Sequence, residues 1–173
     1  MADTEQLRDD LQAAVSDDAV YIHVTGRGSF KVSAALKQFI SGFADNEQIS
    51  TVVIDLADCV GMDSTFMGVL AGLAGRLKNQ NKNFELINVS EKNRQLLETL
   101  GVAQVIRHFS SSAGRSVPFE NAAPLPSADS TKKELAETAL AAHRQLMELG
   151  EENQLRFKRV VEYLQTDVDK LNN

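Results

Sequence analysis

At 173 residues the chain has room for one domain of ordinary size and an appendage. An apolar fraction of 43% with only 6% aromatics and no Trp predicts a core of Leu, Val, Ile and Ala. The net charge of −6 speaks against a broad nucleic-acid-binding face and against docking on an anionic membrane, since both need basic surface.

From the N-terminus, Leu7, Leu11 and Val15 fit one helical face, while 11–15 also reads as an edge strand. The Ser16-Asp17-Asp18 turn chemistry favours the second reading, a hairpin into a β-rich run at 19–24. Thr25-Gly26-Arg27-Gly28 closes that run. Val32, Leu36, Phe39, Ile40 and Phe43 recur at helical spacing over 32–44. The run TVVIDL at 51–56 reads as a continuous apolar strand, as expected when both faces are covered. A short loop is expected next, then a helix over 64–78, a strand over 84–89, and a helix with Ser90 as N-cap. In that helix Leu96, Leu97 and Leu100 face inward and Gly101 supplies the stop. A last short strand is expected within 102–109. The alternation predicts an α/β domain with a mixed, largely parallel sheet of four to five strands.

Three zones follow: a domain over 1–109, a Ser/Pro-rich linker over 110–130, and a helical segment over 131–173. All three prolines fall in the linker, beginning after Ser110-Ser111-Ser112, and such composition reads as a spacer or an extended surface segment. In the last zone Leu135, Ala139, Ala142, Leu146, Leu149, Asn153, Phe157, Val160, Leu164, Val168 and Leu171 make a narrow stripe. A single straight helix of this length would be roughly 60 Å long and would overhang the domain. The segment therefore either folds back, with Gly150 as the break, or pairs with another chain as a homo-oligomer.

The informative stretch is 51–76, TVVIDLADCVGMDSTFMGVLAGLAGR. Asp63 is placed to cap the free N–H groups at the start of the second helix, where the helix dipole is positive. Ser64 then falls in the first turn with its hydroxyl expected toward solvent. A phosphate there gains the helix end's N–H groups, so folding tolerates it, and adds about −1.5 to −2 of charge beside Asp63. Gly68, Ala71, Gly72 and Gly75 are small, which lets the helix sit close to the sheet.

Met62-Asp63-Ser64-Thr65-Phe66-Met67-Gly68, set between strand and helix, resembles the signature of STAS domains of the anti-sigma factor antagonist type. The resemblance covers roughly residues 11–109. It implies a STAS fold carrying an added C-terminal helical extension. It also implies a phosphorylation site at Ser64, with Thr65 as a secondary candidate and Asp63 as the supporting carboxylate. Met62, Phe66, Met67, Gly68 and Ser29 would join Asp63 at a partner interface. The implied partners are an anti-sigma factor with serine kinase activity and a serine phosphatase, acting by partner switching on sigma-dependent transcription. No cofactor, metal or catalysis is implied. The chain departs from the family at Gly26-Arg27-Gly28-Ser29, where an acidic residue is usual, and at Phe66-Met67, which is bulkier than the common Gly-Leu.

Other features have plainer readings. The glycines at 26 and 28 suggest a tight turn with Ser29 or Ser33 capping the next helix, and the complete phosphate-loop pattern is absent. His23, His108 and His143 are dispersed, so no shared metal site is expected. The lone Cys59 excludes an intramolecular disulfide, reads as a buried thiol, and fits a reducing, cytoplasmic setting. No basic-then-apolar leader opens the sequence. The longest apolar stretch, 66–74, falls far short of the roughly 20 residues that span a bilayer. Two alternatives to the switched interaction module remain. One is a nucleotide or lipid held under the Ser64 helix; the other is an oligomeric scaffold built by the C-terminal helices.

Overall fold

The computed structural model describes residues 8–125 and 130–173. In chain order the elements are β1 (Asp10–Ser16), β2 (Ala19–Gly28), α1 (Phe30–Ala44), β3 (Thr51–Met62), α2 (Ser64–Asn79), β4 (Asn83–Ile87), α3 (Glu91–Thr99), β5 (Arg107–His108), β6 (Ala123–Pro124), α4 (Lys132–Glu148) and α5 (Glu151–Leu171). Among the described residues six strands make one sheet in the order β5-β4-β3-β2-β1-β6. β2, β3, β4 and β5 run parallel, and β1 pairs antiparallel with both β2 and β6. The hairpin reading of the N-terminus is the one adopted, with Asp17 at φ 54° in its turn. Leu7 lies outside the described residues.

Side chains alternate across the pleat, which decides what each face does. Val20, Ile22, Val24, Val52, Ile54, Leu56 and Leu86 join the core with Leu36, Ile40, Leu70, Leu77 and Leu97 from the helices. The opposite face carries Tyr21, His23, Asp55 and Glu85. Segment 111–122 crosses it: Arg115 pairs with the buried Glu85 carboxylate at 2.7 Å, and the Phe119 ring meets His23 edge-on at 4.9 Å. The segment then reaches the far edge, where Ala123 and Pro124 pair with Ala13 and Gln12 as β6. The Ser/Pro-rich stretch is thus a strap across the sheet with a sixth strand in it, a longer sheet than the expected four to five strands. Residues 126–129 lie outside the described residues.

Several boundaries differ from the sequence reading. β2 continues to Gly28 and β3 to Met62, so the expected loop before Asp63 is strand. The two extensions pair with each other across register shifts at His23/Thr25 and Gly26/Arg27. Near the C-terminal end of the domain, Val102–Gln104 form a 3-10 turn, leaving only Arg107–His108 as strand. Ser90 and Gly101 act as expected: the Ser90 hydroxyl accepts from the Asn93 N–H at 3.2 Å, and Gly101 takes the left-handed conformation at φ 75°.

The C-terminal segment folds back. Thr131 and Glu134 form a reciprocal capping box that starts α4. The helix ends at Glu148 with Leu149 as its C-cap, and Gly150 in extended backbone separates it from α5. Arg144 hydrogen-bonds Gln165 across the hairpin, and the His143 and Phe157 rings meet at 5.2 Å. Of the stripe, Ala142, Leu146, Asn153, Phe157 and Val168 are buried within one chain, while Val160 and Leu171 stay exposed. Among the described residues no helix is long and apolar enough to cross a membrane.

Candidate functional site

The junction of β3 and α2 is built around one carboxylate. Asp63 holds extended backbone (φ −94°, ψ 172°) at the N-cap of α2, and its N–H donates to Gly28 O at 2.9 Å. Its Oδ1 accepts from Phe66 N at 2.9 Å, the ordinary cap. Its Oδ2 accepts from Phe30 N at 2.7 Å, at the start of α1. A single side chain therefore terminates two helices and fixes the β2 and β3 ends between them. Ser29, expected to cap α1, stands at the N-cap position without doing so. Its hydroxyl instead donates to Asp9 Oδ2 at 2.8 Å, while Asp9 Oδ1 accepts from Arg27 N at 3.0 Å. The acidic group absent from the 26–29 turn is thus supplied from the start of β1, which no local pattern signalled.

Ser64 opens α2, half-buried rather than facing open solvent. Its Oγ lies 2.9 Å from His143 Nε2 on α4. His143 Nδ1 lies 2.7 Å from Ala139 O, and a carbonyl can only accept, so Nδ1 carries the proton. In the neutral ring Nε2 is then left to accept from the Ser64 hydroxyl. The arrangement has the form of a nucleophile and a base, with a backbone carbonyl rather than a carboxylate holding the imidazole from behind. Sequence reasoning left His143 as a dispersed histidine because 79 residues separate it from Ser64.

The other residues expected at a partner interface are covered. Met62, Phe66 and Met67 are buried, Phe66 fully so, and Thr65, the secondary phosphorylation candidate, is buried as well. Phe66 packs on Gly28, where an added Cβ would stand 2.6 Å from the ring. The positions after Ser64 therefore turn toward the core, and the bulk at Phe66-Met67 fills it. The glycines of α2 also differ from expectation. A Cβ at Gly68 would lie 2.3 Å from Ala142 O, and one at Gly72 would lie 3.3 Å from Gln145 Cγ. They make room for α4, not for the sheet. Asn153 fastens the hairpin: its Nδ2 donates to Leu100 O at 2.9 Å and to Leu146 O at 2.8 Å.

The groove left between α1, α2 and α4, lined by Lys37, Gly72, Arg76 and Gln145, encloses about 150 Å³. Pockets for small organic ligands run to about 300–1,000 Å³, so this groove is undersized for a nucleotide or lipid. Across the sheet, His23 bridges Asp55 at 3.0 Å and Asp58 at 2.8 Å, with Asn88 Nδ2 donating to Asp55 at 2.8 Å. His23 and Asp55 face each other in register on β2 and β3, and an acid inside a buried apolar strand was the available signal. Cys59 is buried, and that burial pushes its thiol above the usual range. Among the described residues no group of three or more His, Cys, Asp or Glu is placed to hold a metal ion.

A model of the STAS domain matches residues 10–114. The chain belongs to the STAS domain family. Solved STAS-like structures are similar to it. The anti-sigma factor antagonist SpoIIAA of Bacillus, in its unphosphorylated form, is 19% identical with a TM-score of 0.51, over 57% of this chain and 87% of that one. An anti-sigma factor antagonist from Mycobacterium paratuberculosis is 16% identical with a TM-score of 0.53, over 65% and 93%. A sulfate transporter family protein from Wolinella succinogenes is 17% identical with a TM-score of 0.51, over 58% and 83%. Likeness at these identities establishes a shared STAS fold. The match to the STAS domain ends at residue 114, so α4 and α5 are additions to it.

Proposed function

We propose that the chain is an anti-sigma factor antagonist whose protein–protein contacts are switched by phosphorylation of Ser64. The observation that carries the reading is the position of the Ser64 hydroxyl, at the first turn of a 16-residue helix whose cap is already made by Asp63. A phosphoryl group on that oxygen does not compete with Asp63 for the Phe66 N–H. The cap survives the modification, and the start of α2 gains charge beside an existing carboxylate. In this reading the partner is an anti-sigma factor with serine kinase activity. Ser64 Oγ takes the γ-phosphoryl of ATP, loses its proton and releases ADP, and a serine phosphatase hydrolyses the ester. The chain contributes the acceptor and no catalysis of its own. The unphosphorylated form binds the anti-sigma factor and frees the sigma factor, in the reducing interior of the cell. Support comes from membership of the STAS family, from the 62–68 motif, and from antagonists of the same fold.

The test is phosphosite mapping by mass spectrometry after incubation with ATP and the cognate kinase. A single phosphate on Ser64, lost in Ser64→Ala, is expected. Undiminished phosphorylation and normal partner release in Ser64→Ala overturn the proposal.

A further inference from the structure

We propose that the α4–α5 hairpin is an intramolecular cover over the switch face of α2, and that it must swing away before Ser64 can be modified or a partner can dock there. The proposal deepens the phosphorylation reading and rests on it for the identity of the switch.

Three contacts place the cover. Ser64 Oγ is hydrogen-bonded to His143 at 2.9 Å. One turn on, Gly68 touches the α4 backbone so closely that an added Cβ would stand 2.3 Å from Ala142 O and 2.6 Å from Ala142 C. Gly72 meets Gln145. The approach is backbone against backbone at Gly68, so α4 cannot yield there by rotating a side chain. The His143 imidazole fills the space directly against Ser64 Oγ that a phosphoryl group there would enter. The cover is held at its far end by Asn153 on Leu100 O, by Arg156 on Thr99 O at 3.3 Å, and by buried Leu146 and Phe157.

The glycines of α2 acquire a purpose in this arrangement. They shape a face that accepts a helix at close range, and α4 is the occupant when nothing else is bound. A partner that presents a helix with small residues to the same face competes with α4 directly. Its apparent affinity is the intrinsic one scaled by the fraction of chains with the cover open. Release also uncovers Leu146 and Ala142, so the phosphorylated or partner-bound chain has an apolar helix face the closed chain lacks.

The experiment uses the full chain and needs no kinase. Ser64→Cys is labelled with N-ethylmaleimide, alone and combined with Leu146→Ala, which loosens the hairpin from its own side without altering α2. Hydrogen–deuterium exchange is followed in parallel on Ser64→Ala, Ser64→Glu and Gly68→Ala. Labelling at least tenfold faster with Leu146→Ala is expected. Protection over 132–171 should fall at least tenfold in Ser64→Glu and Gly68→Ala, with β2 and β3 amides still protected and Ser64→Ala close to the parent. Equal labelling rates in the two backgrounds, or unchanged protection of 132–171 in both Ser64→Glu and Gly68→Ala, overturn the cover. Loss of β2 and β3 protection marks an unfolded variant, and the labelling pair then decides. Failure here leaves phosphorylation of Ser64 standing, whereas absence of phosphate on Ser64 leaves the cover standing.

Discussion

Replacing Asp63 tests how the β3–α2 junction is held together. Its two oxygens accept from Phe66 N at 2.9 Å and Phe30 N at 2.7 Å, one at each helix start. Loss of an N-cap costs about 0.5–2 kcal/mol, typically near 1. Here two caps are lost at once, and hydrogen bonds to a charged acceptor lie at the stronger end of the range. Asp63→Ala should therefore destabilise the chain by about 2–3 kcal/mol. For a protein of this size that lowers Tm by roughly 5–10 °C. Asp63→Asn keeps one carbonyl oxygen and should cost about half as much. Ser29→Ala removes a bond to Asp9 but leaves α1 capped, so it should cost less than Asp63→Ala. Urea and thermal unfolding of the three variants give the comparison. Asp63→Ala within about 0.5 kcal/mol of the parent refutes the double cap, as does Asp63→Asn as costly as Asp63→Ala.

Asn153→Ala strips the side-chain donor from Leu100 O and one of two donors from Leu146 O, which keeps Leu149 N at 3.1 Å, and should cost about 1–3 kcal/mol in urea unfolding. Amide exchange over 132–171 should speed up with it. Arg115→Ala leaves the buried Glu85 carboxylate, among the described residues, with the more distant Arg107 at 3.6 Å, and should cost about 2–3 kcal/mol with loosening of the 111–122 strap. Burial holds the Cys59 thiol above its usual range, so the folded chain grips that proton more tightly than the unfolded one. That share of stability is complete below the ordinary thiol pKa and fades as pH climbs through the raised value. Urea midpoints should fall over that alkaline window, and Cys59→Ala should flatten the fall.

What the sequence made legible was local. The turn chemistry at 16–18, the Ser90 cap, the Gly101 stop and the Gly150 break each act through a residue's own backbone or nearest neighbours. The missed features are pairings over distance. The end of β3, Asp58 to Met62, lacks apolar alternation and is strand only because the end of β2 lies beside it. β6 is two residues in a proline-bearing segment, defined wholly by its partner β1. Gly68 and Gly72 announced close packing, but small side chains do not say against what. The candidate site divides the same way. Asp63 and the α2 start were readable from cap chemistry, whereas His143 and Asp9 reach the site through tertiary folding and carry no motif.

Calorimetric titration of the proposed anti-sigma factor partner into the full chain, with Ser64 phosphorylated stoichiometrically and without, weighs the whole account. Added charge beside Asp63 should outweigh the gain from an opened cover and weaken Kd by at least about 100-fold, close to 3 kcal/mol. Equal affinity of the two forms would show that the Ser64 hydroxyl does not govern partner choice.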